Sequence, residues 1–583
     1  MPFSNTDAAA VFDEIADLLE VQGGNAFRVR AYRNAARTLG DLPRSVKEML
    51  EAGEDLDALP AIGKDLAGKI AEIVATGTCA QLETLRKAVP HGVVELLQLP
   101  GVGPKRVQLL FEQLGIGSLE QLREAAQAGR VRTVHGFTEA GEKKLLQAVN
   151  ARLQTARRFP IAQAAPVAEA LLKELQAAPG VDRAVAAGSL RRWRDTVGDL
   201  DLLVTAAADS SVMERFVAGD AVARVLSRGP TRSSVVLKSG LQVDLRVVAP
   251  ESFGAAWMYF TGSKAHNIAL RRIAQDAGLK LSEYGLYRDA KRIAGTTEEQ
   301  VYKALKLPWI TPELREDRGE IEAARGGRLP DLVQLDDLRG DLHCHTTDSD
   351  GHDGLEAMAR AAAARGLQYL AITEHSPRLG ITHGLTEARL AKQIDAIDAL
   401  NARLKGIRLL KGIEVDILED GSLDLPDRAL PRLDLVVGAV HHAFDLNAAK
   451  QTDRLLRAMD HPHFSILAHP SSRLLEERGP CQFDLERVLR HARERGCFLE
   501  LNAQPARLDL DDHACRMARD AGVLVSIASD AHSALELGLL PWGVGQARRG
   551  WLEPAHVLNT RTLAQLRPLL AATMGRSAHA LAA

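Results

Sequence analysis

The sequence predicts a multidomain chain in which helical and α+β domains precede a C-terminal α/β barrel, and three observations support this fold class. The 583 residues suffice for about three to five domains of ordinary size. Residues 1–85 show the apolar spacing of helices, whereas residues 155–250 hold a helix followed by short β-type runs. From Leu338 onward, β-type runs alternate with helices, which predicts a parallel, barrel-like α/β domain.

Composition limits the possible classes of protein. The hydrophobic content of 46% and the charged content of 26% are typical of a soluble globular protein. The formal net charge is −3, so binding to nucleic acid would depend on local basic surfaces. The five cysteines form no CxxC pair, which favours a reducing compartment. We see no membrane-spanning run and no secretion signal, and we therefore expect a cytoplasmic protein without a membrane partner.

Two short segments of the helical region resemble each other. Residues 59–64 (LPAIGK) and 99–105 (LPGVGPK) each precede a helix, and residues 134–138 are a weaker third copy. Backbone N–H groups at such a turn, together with the helix N-terminus, bind phosphate whatever the base sequence. One copy would be an ordinary helix connection, but the repetition favours DNA-backbone binding at these positions: Gly63, Lys64, Gly101, Gly103 and Lys105. A basic stretch at 28–37 is either a solvated helix face or a further DNA surface.

Three aspartates form the first candidate metal site. Asp199 and Asp201 share one face of a predicted strand, about 7 Å apart, and Asp244 comes from another strand. Carboxylates without histidine or thiol favour Mg²⁺ or Mn²⁺, and two such ions stabilise the attacking and leaving oxygens of a phosphoryl displacement. An Asp-x-Asp pair alone is common. The preceding Gly-Ser-Leu-Arg-Arg at 188–192, in which Arg191 and Arg192 supply positive charge beside phosphates, completes a nucleotidyltransferase signature.

This region resembles the family X DNA polymerases, and Tyr-Phe-Thr-Gly-Ser at 259–263 extends the match. The resemblance implies that Asp199, Asp201 and Asp244 bind two metals and that Asp244 helps to deprotonate the primer 3′-hydroxyl. It implies triphosphate contacts at Gly188, Ser189, Arg192 and Gly198. It further implies sugar and base contacts at Tyr259, Phe260, Gly262 and Asn267. Arg246 and Arg271 would contact DNA. Lys264 stands where the beta polymerase has an aspartate, which leaves the detail of nucleotide selection open.

The resemblance extends to the N-terminal region. Lys69 aligns with the family's Schiff-base lysine, and Arg28 and Tyr32 align with its 5′-phosphate pocket. Asp65 and Phe27 depart from that pocket, and a Schiff-base lysine must be neutral to react. Lyase activity of Lys69 and a simple DNA-backbone contact therefore both stay open. Carbonyl groups of the two repeated turns would hold a monovalent cation against a DNA phosphate.

A histidine-rich cluster forms the second candidate metal site. Nearly all of its members lie at or just past the carboxyl end of a predicted strand, where an α/β barrel gathers active-site groups. They are His343, His345, Asp350, His375, Glu414, His441, His469, Asp530 and His532. Imidazole-rich ligation with a bridging carboxylate suits Zn²⁺ or Mn²⁺. These residues by themselves predict a metallohydrolase.

The cluster resembles the PHP domain, named for polymerase and histidinol phosphatase, which implies a distorted (β/α)7 barrel with three metals. The first ion would lie on His343, His345, Glu414 and Asp530. Glu414 would bridge to a second ion held with His441 and His469. The third would lie on Asp350, His375 and His532. Arg473 and Asn502 would hold a phosphate.

Together the resemblances give an expected domain order. We expect a lyase-like helix-hairpin-helix domain (1–85), a fingers-like one (86–153), a nucleotidyltransferase palm (154–250), a thumb (251–317), a linker (318–337) and a PHP metallophosphoesterase domain (338–575). The expected function is gap filling in base excision repair, with metal-dependent 3′–5′ exonuclease activity and 3′-phosphatase or abasic-site endonuclease activity as further options. Gapped or nicked DNA and deoxynucleoside triphosphates would be the partners of a monomer.

Two other classes of function compete with this interpretation. One is a histidinol-phosphatase-like metabolic enzyme with relic DNA domains, and the intact aspartates and the Ser189–Arg192 turn speak against it. The other is a noncatalytic scaffold for DNA ends. A scaffold predicts lost ligands, and none of the twelve metal-ligand positions is missing.

Overall fold

The computed structural model describes residues 5–42, 46–88, 93, 96, 99, 102–156, 158–207 and 209–576. The chain divides into two compact units, 1–157 and 158–583. Among the described residues, no helix is both long and apolar enough to cross a bilayer.

The first unit is helical. Its described helices are α1 (Asn5–Val21), α2 (Ala26–Asp41), α3 (Val46–Glu51), α4 (Lys64–Thr76), α5 (Ala80–Ala88), α6 (Pro104–Leu114), α7 (Leu119–Gln127) and α8 (Glu139–Ala156). One apolar core runs through the unit and includes the fully buried Phe12, Ile70, Leu110 and Leu122. The predicted helical segments at 8–19, 46–50 and 66–74 all fall inside these helices.

A mixed sheet opens the second unit. Its strands are β2 (Val181–Ala186), β4 (Asp199–Ala206), β5 (Val222–Ser227), β6 (Arg232–Leu237) and β7 (Gln242–Val247), in the order β2-β4-β7-β6-β5. A short pair, β1 (Phe159–Pro160) and β3 (Thr196–Val197), lies beside it, with helices α9 (Ile161–Gln176), α10 (Gly188–Arg191) and α11 (Val212–Val217). Sequence reasoning missed β5, since this edge strand is mostly exposed and lacks a clear apolar alternation.

A small α+β region follows the sheet. It consists of α12 (Phe253–Thr261), α13 (Lys264–Asp276), α14 (Glu298–Ala304) and the antiparallel strands β8 (Lys280–Ser282), β9 (Gly285–Arg288) and β10 (Lys291–Ala294). The segment 318–337, predicted as a polar linker, is folded against this region. It contains α15 (Glu320–Arg325), whose Ile321 joins the local core and whose Glu320 accepts from buried His266 at 2.6 Å. The linker was predicted because charged residues usually lie in solvent, whereas Glu320 is buried and paired with His266.

The remaining strands form a parallel barrel. They are β11 (Gly340–Asp341), β12 (Tyr369–Ile372), β13 (Arg408–Lys411), β14 (Glu414–Asp416), β15 (Val437–Ala439), β16 (Ile466–Leu467), β17 (Phe498–Asn502) and β18 (Val525–Ala528). Strands β11 to β13 form one parallel sheet, and strands β14 to β18 form another. Bridges between Cys344 and Ala531 and between His375 and Glu414 join the two sheets at both edges and close the ring. Because β13 and β14 are parts of one extended run, the ring has seven strand positions. The predicted fold class is confirmed.

Helices surround this barrel. They are α16 (Leu355–Ala364), α17 (Glu387–Asn401), α18 (Ala448–Met459), α19 (Leu485–Arg495), α20 (Asp512–Ala521), α21 (Leu540–Arg549) and α22 (Leu563–Thr573). Buried residues of α16, α18, α19, α20 and α21 pack on the strands in one apolar cluster. This packing fixes the carboxyl ends of the strands, where the predicted metal ligands lie.

Candidate functional sites

A cavity of about 700 Å³ opens beside β4. It brings together most residues that the sequence assigned to nucleotide binding and part of the aspartate trio. Its lining includes Gly188, Ser189, Arg192, Gly198, Asp199, Asp201, Tyr259, Phe260, Gly262, Asn267 and Arg271. Residues distant in sequence thus converge on one cavity of nucleotide size.

Strand register explains how the aspartates meet. β4 and β7 are parallel, and Asp201 pairs in register with Asp244. Gly188 has a φ of +62°, and a Cβ there would lie 2.3 Å from the Asp201 carboxylate. The start of α10 can therefore approach Asp201 this closely only with glycine at this position.

Crowding of the carboxylates raises their pKa values. Burial, then Asp244, raises the pKa of Asp199. Burial, together with Asp199 and Asp244, raises the pKa of Asp201 to about 7. A cation would relieve this repulsion, so the carboxylate set suits the predicted Mg²⁺ or Mn²⁺.

Two neighbouring arginines point in different directions. Arg192 lines the cavity, whereas Arg191 forms an ion pair with Glu298 at 2.7 Å. Burial alone would raise the pKa of Glu298, but Arg315 and Arg191 outweigh it and lower that pKa to about 2. The expectation that Arg191 lies beside the phosphates is thus wrong, because its guanidinium ties α10 to α14.

The cavity also contains charge that sequence reasoning missed. Arg158 and Arg194 line it, and Arg158 donates to the Thr196 hydroxyl at 2.8 Å. Arg194 lies two residues after the recognised Ser189–Arg192 turn. This proximity in the sequence could have indicated that Arg194 faces the same cavity as the turn.

Aromatic residues form the far side of the cavity. The Arg271 guanidinium lies 5.0 Å from the Tyr259 ring centre, and that of Arg246 lies 4.2 Å from the Phe260 ring centre. The Asn267 amide donates to the Tyr259 carbonyl at 2.7 Å. These interactions keep the residues that are predicted to contact sugar, base and DNA close to one another.

The histidine site lies at the carboxyl ends of the barrel strands. Ligand atoms of three groups of residues lie within 4.8 Å of one another. The groups are His345, Asp350, His375 and His532; His343, His345 and Asp530; and His375, Glu414 and His441. Eight of the nine predicted ligands thus fall in these groups. His345 and His375 each belong to two of them, so the groups do not match the predicted assignment of ligands to three ions one for one.

Glu414 lies between these groups and also contacts His469, the ninth predicted ligand. Its Oε1 atom lies 3.1 Å from His469 and 3.4 Å from His441. Its Oε2 atom lies 2.7 Å from His375 and 3.5 Å from His343. A carboxylate whose two oxygens face different sets of imidazoles has the placement of a bridging ligand.

Buried polar atoms indicate that the histidine site suits cations. The Nδ1 atoms of His345 and His469 are buried without a hydrogen-bond partner. Leaving such atoms unsatisfied is costly, and together they are the donor set expected of a metal site. His469 and Asp530 also have positive φ angles of 26° and 50°, a backbone strain that concentrates at functional sites.

Outer carboxylates orient the imidazoles. Glu500 lies 2.6 Å from His343 Nδ1, and Asp416 lies 2.6 Å from His441 Nδ1. Such pairs leave Nε2 to face a metal. Sequence reasoning missed both carboxylates, although each lies on a strand beside a predicted ligand.

Charge in the histidine site shifts pKa values in opposite directions. Burial lowers the pKa of His375, but Glu414 and Asp350 outweigh it and raise that pKa to about 10. Burial and the neighbouring imidazole of His375 lower the pKa of His345 to about 3. Protons therefore occupy part of the ligand set when cations are absent, and binding of cations releases them.

Two residues proposed to hold a phosphate have other partners. Arg473 donates to the Arg507 carbonyl at 2.9 Å and pairs with Asp195 at 3.1 Å. The Asn502 amide donates to Asp530 at 3.0 Å and to Glu500 at 2.9 Å. Arg473 therefore ties the barrel to the first sheet region, and Asn502 holds Asp530, a predicted ligand, in place.

The first unit contains three turns of the same form. The N–H groups of Ile62, Val102 and Phe137 donate to carbonyls of Leu59, Leu99 and Val134, each at 3.1 Å. A helix begins two residues after each donor, at Lys64, Pro104 and Glu139. The weak third copy is thus equivalent in structure. Gly63 and Gly103 are the N-caps and Lys64 and Lys105 are exposed, whereas Gly101 lies outside the described residues.

The predicted 5′-phosphate pocket is only partly available. Arg28 is exposed on α2, but Tyr32 is 3% exposed and its ring packs edge-on against Phe12 at 5.5 Å. Tyr32 is therefore a core residue rather than an exposed DNA contact. Lys69 forms an ion pair with Asp65 at 2.5 Å. Burial lowers the pKa of Lys69, but Asp65 and Tyr32 outweigh it and raise that pKa, which opposes Schiff-base chemistry.

The fold and the two sites define a class of protein. A nucleotidyltransferase-type sheet carries a carboxylate site beside a nucleotide-sized cavity, and a barrel carries a histidine-rich site of metallohydrolase type. Both are suited to metal-dependent phosphoryl chemistry.

Comparisons with known proteins agree with this class. Four family descriptions match: helix-hairpin-helix domain (3–79), SAM-like helix-hairpin-helix tandem (93–151), DNA polymerase beta thumb (256–316) and PHP domain (341–504). The chain is 38% identical to DNA polymerase/3′-5′ exonuclease PolX of Bacillus subtilis, over 97% of this chain and 99% of that protein.

Two further relatives each cover one part of the chain. DNA polymerase lambda of Rattus norvegicus is 28% identical over 52% of this chain and 54% of its own. A probable phosphatase of Thermoanaerobacter sp. is 29% identical over 38% of this chain and 89% of its own. The chain belongs to the family X DNA polymerases that carry a C-terminal PHP domain.

Proposed function

We propose that this protein is a DNA-directed DNA polymerase that fills short gaps during base excision repair and trims 3′ ends with its barrel. The observation that carries the proposal is the convergence of Ser189, Arg192, Asp199 and Asp201 on one cavity, with Asp244 in register. A hydrolase with relic DNA domains would not need this cavity.

In the proposed synthesis, the chain's own residues bind and orient the substrates. Ser189 and Arg192 hold the triphosphate, while Tyr259 and Phe260 line the sugar. Asp199, Asp201 and Asp244 would hold Mg²⁺ or Mn²⁺, which supply Lewis acidity at the transferred phosphoryl group. Asp244, partly covered by Arg232 at 3.3 Å, would accept the proton of the primer 3′-hydroxyl.

In the proposed 3′–5′ exonuclease, the nine ligands of the histidine site would hold Zn²⁺ or Mn²⁺. These ions activate water and neutralise phosphate charge when they are bound. Glu500 and Asp416 keep His343 and His441 oriented. Asp350 and His532, whose side chains are 26% and 27% exposed, give access to the site from its edge. A 3′-phosphate or an abasic site could enter there, so we include 3′-phosphatase and endonuclease activities.

DNA binding in this proposal depends on the first unit. Its three equivalent turns, with exposed Arg28, Lys64 and Lys105, contact the backbone of gapped or nicked DNA, and a monovalent cation at a turn carbonyl would bridge to a phosphate. We propose a cytoplasmic monomer, since each site is built from a single chain. The domain boundaries remain those predicted from the sequence, with residues 318–337 as a folded junction.

Primer extension on gapped DNA tests the proposed synthesis. Incorporation should need Mg²⁺ or Mn²⁺ and should disappear in Asp201→Asn. Asp276→Asn, an exposed carboxylate at the end of α13, is the matched control and should retain activity. Failure of the unchanged protein to incorporate any nucleotide with either cation would refute the polymerase proposal.

A further inference from the structure

The turn that carries the triphosphate-binding residues rests on a helix of the barrel. Trp193, which follows Arg192, has a φ of +56° and its ring lies 5.6 Å from that of Trp542 on α21. A Cβ at Gly545 would lie 2.2 Å from the Trp193 ring. Only glycine at position 545 permits this close contact between α21 and Trp193, the residue between Arg192 and Arg194 of the cavity lining.

Arg192 is already engaged by protein groups. Its Nε atom donates to Glu316 at 3.0 Å, and its Nη1 atom donates to the Thr261 carbonyl. An incoming triphosphate must compete with the Glu316 carboxylate for this guanidinium. The strength of the Arg192–Glu316 pair therefore affects how readily Arg192 binds substrate.

Arg549, at the end of α21, shares that carboxylate. Its Nη1 atom donates to Glu316 at 3.0 Å and to the Arg192 carbonyl at 2.6 Å. Its Nη2 atom donates to Asp512 at 2.7 Å, and Arg318 donates to the same Asp512 oxygen at 2.9 Å. The Arg549 side chain is 1% exposed, so solvent does not screen these interactions strongly.

Arg549 affects the ion pair of Arg192 through the carboxylate that the two arginines share. Both guanidinium groups contact the same Glu316 oxygen. When Arg549 neutralises part of the Glu316 charge, Arg192 is held less strongly and can turn to the triphosphate. Without Arg549, Arg192 would be the one described ion-pair partner left to Glu316, and the Arg192 carbonyl would lose its hydrogen bond from Arg549.

We propose that Arg549, contributed by the barrel, is a positioning residue of the nucleotide site, and that it sets the affinity for deoxynucleoside triphosphates by sharing Glu316 with Arg192. This inference rests on the proposed polymerase function. It gives the barrel a role in DNA synthesis that is independent of the histidine site. Loss of Arg549 should therefore change substrate binding without changing the nuclease.

Steady-state incorporation of one nucleotide into gapped DNA tests this role. Arg549→Met keeps the aliphatic stem and removes the charge. We expect the KM for the nucleotide to rise about tenfold and kcat to change less than about twofold, since binding rather than chemistry is affected. Exonuclease activity on a single-stranded 3′ end should be unchanged.

Arg548→Met is the matched control. Arg548 is the neighbouring residue on α21 and pairs with Glu313 at 2.7 Å, but no contact joins it to Arg192 in the described structure. Its substitution should leave the KM unchanged. Equal KM increases in both variants, or parallel losses of kcat and nuclease activity in Arg549→Met, would overturn the proposal.

Glu316→Gln tests the same inference without removing Arg549. We expect a severalfold lower KM, because Arg192 loses its competing charge while Arg549 keeps Asp512. In the double variant Glu316→Gln/Arg549→Met, the KM should stay close to that of Glu316→Gln, because Arg549 acts on Arg192 through the Glu316 charge. A KM that rises or stays constant in Glu316→Gln contradicts the inference even if Arg549→Met does not fold. Incorporation by the unchanged protein would show that the polymerase proposal itself still stands.

Discussion

The aspartate site and the histidine site solve the same chemical problem with different degrees of preorganisation. In the histidine site, most ligands are buried and their atoms already lie in compact groups. In the aspartate site, Asp199 and Asp201 line an open cavity. Among the described residues, only the histidine site yields groups of ligand atoms within 4.8 Å of one another.

This difference follows from what completes each site. Mg²⁺ in phosphoryl-transfer sites is usually held by one or two carboxylates together with substrate phosphates, so an open aspartate site can await its nucleotide. The histidine site has outer partners such as Glu500 and Asp416 that orient the ligands before substrate arrives. We infer that one site is completed by the substrate and the other by the protein.

Substitutions in each site should separate the two activities, and this is the largest effect that we expect. Asp201→Asn should reduce gap-filling synthesis by about 10³-fold or more, because a cation ligand next to the reacting phosphate is lost. Asp530→Ala and His343→Ala should reduce the nuclease by a similar factor and spare synthesis. Both activities are measured on labelled primers with and without nucleotides. Persistent nuclease activity in either barrel variant would assign that activity elsewhere.

Much of this arrangement could be predicted from the sequence, because chemistry and strand position coincide. Histidines and carboxylates at strand ends predicted a cluster in the barrel, and their atoms do lie close together, because parallel strands bring such side chains to one end. Directions of individual side chains could not be predicted. Arg191 and Arg192 are adjacent in sequence, yet one enters an ion pair and the other the cavity.

Pairing between residues far apart in the sequence explains the contacts that were not predicted. The segment 318–337 appeared to be a linker because its charges suggested exposure. Glu320 is instead buried against His266, a partner 54 positions earlier. Arg473 is directed to Asp195 in a different part of the unit. Neither pairing produces a local pattern in the sequence, so only the tertiary structure reveals them.

Removing an outer carboxylate should weaken the preorganised site more than the open one. Glu500→Gln and Asp416→Asn should each lower metal affinity or nuclease activity about 10- to 100-fold, as is typical for groups that orient metal-bound histidines. Metal content after dialysis and nuclease rates provide the measurement. Glu494→Gln, at an exposed position on α19, is the control.

Gln242→Ala should change synthesis less than about threefold, since Gln242 lies 3.3 Å from Asp244 and holds it only weakly.

The aspartate site should bind cations more tightly as pH rises. The pKa of Asp201 is raised from 3.8 to about 7, so in the cation-free protein its carboxyl keeps a proton up to neutral pH. Its contribution to folding stability is therefore lost as pH rises towards 7. A cation must displace that proton, so its apparent affinity should increase by up to about tenfold per pH unit below 7 and then level off.

The Mg²⁺ concentration that gives half-maximal synthesis, measured across this pH range, tests this dependence. The His343→Ala variant serves as the starting protein, so that cations at the histidine site do not contribute. A half-maximal concentration that stays constant with pH would show that Asp201 is already ionised before the cation binds.

A small effect is expected at Lys69, where the Asp65 carboxylate faces a protonated amine instead of a metal ion. The ion pair with Asp65 and the contact with Tyr32 raise the pKa of Lys69, so the amine stays protonated at neutral pH and should not form a Schiff base. Lys69→Met should weaken binding to gapped DNA about two- to fivefold through the lost charge. Lys64→Met, at an exposed lysine of the same helix, provides the comparison. Borohydride trapping on a 5′-deoxyribose phosphate should give no covalent complex. A trapped complex that disappears specifically in Lys69→Met would mean that DNA binding displaces Asp65 and frees the amine.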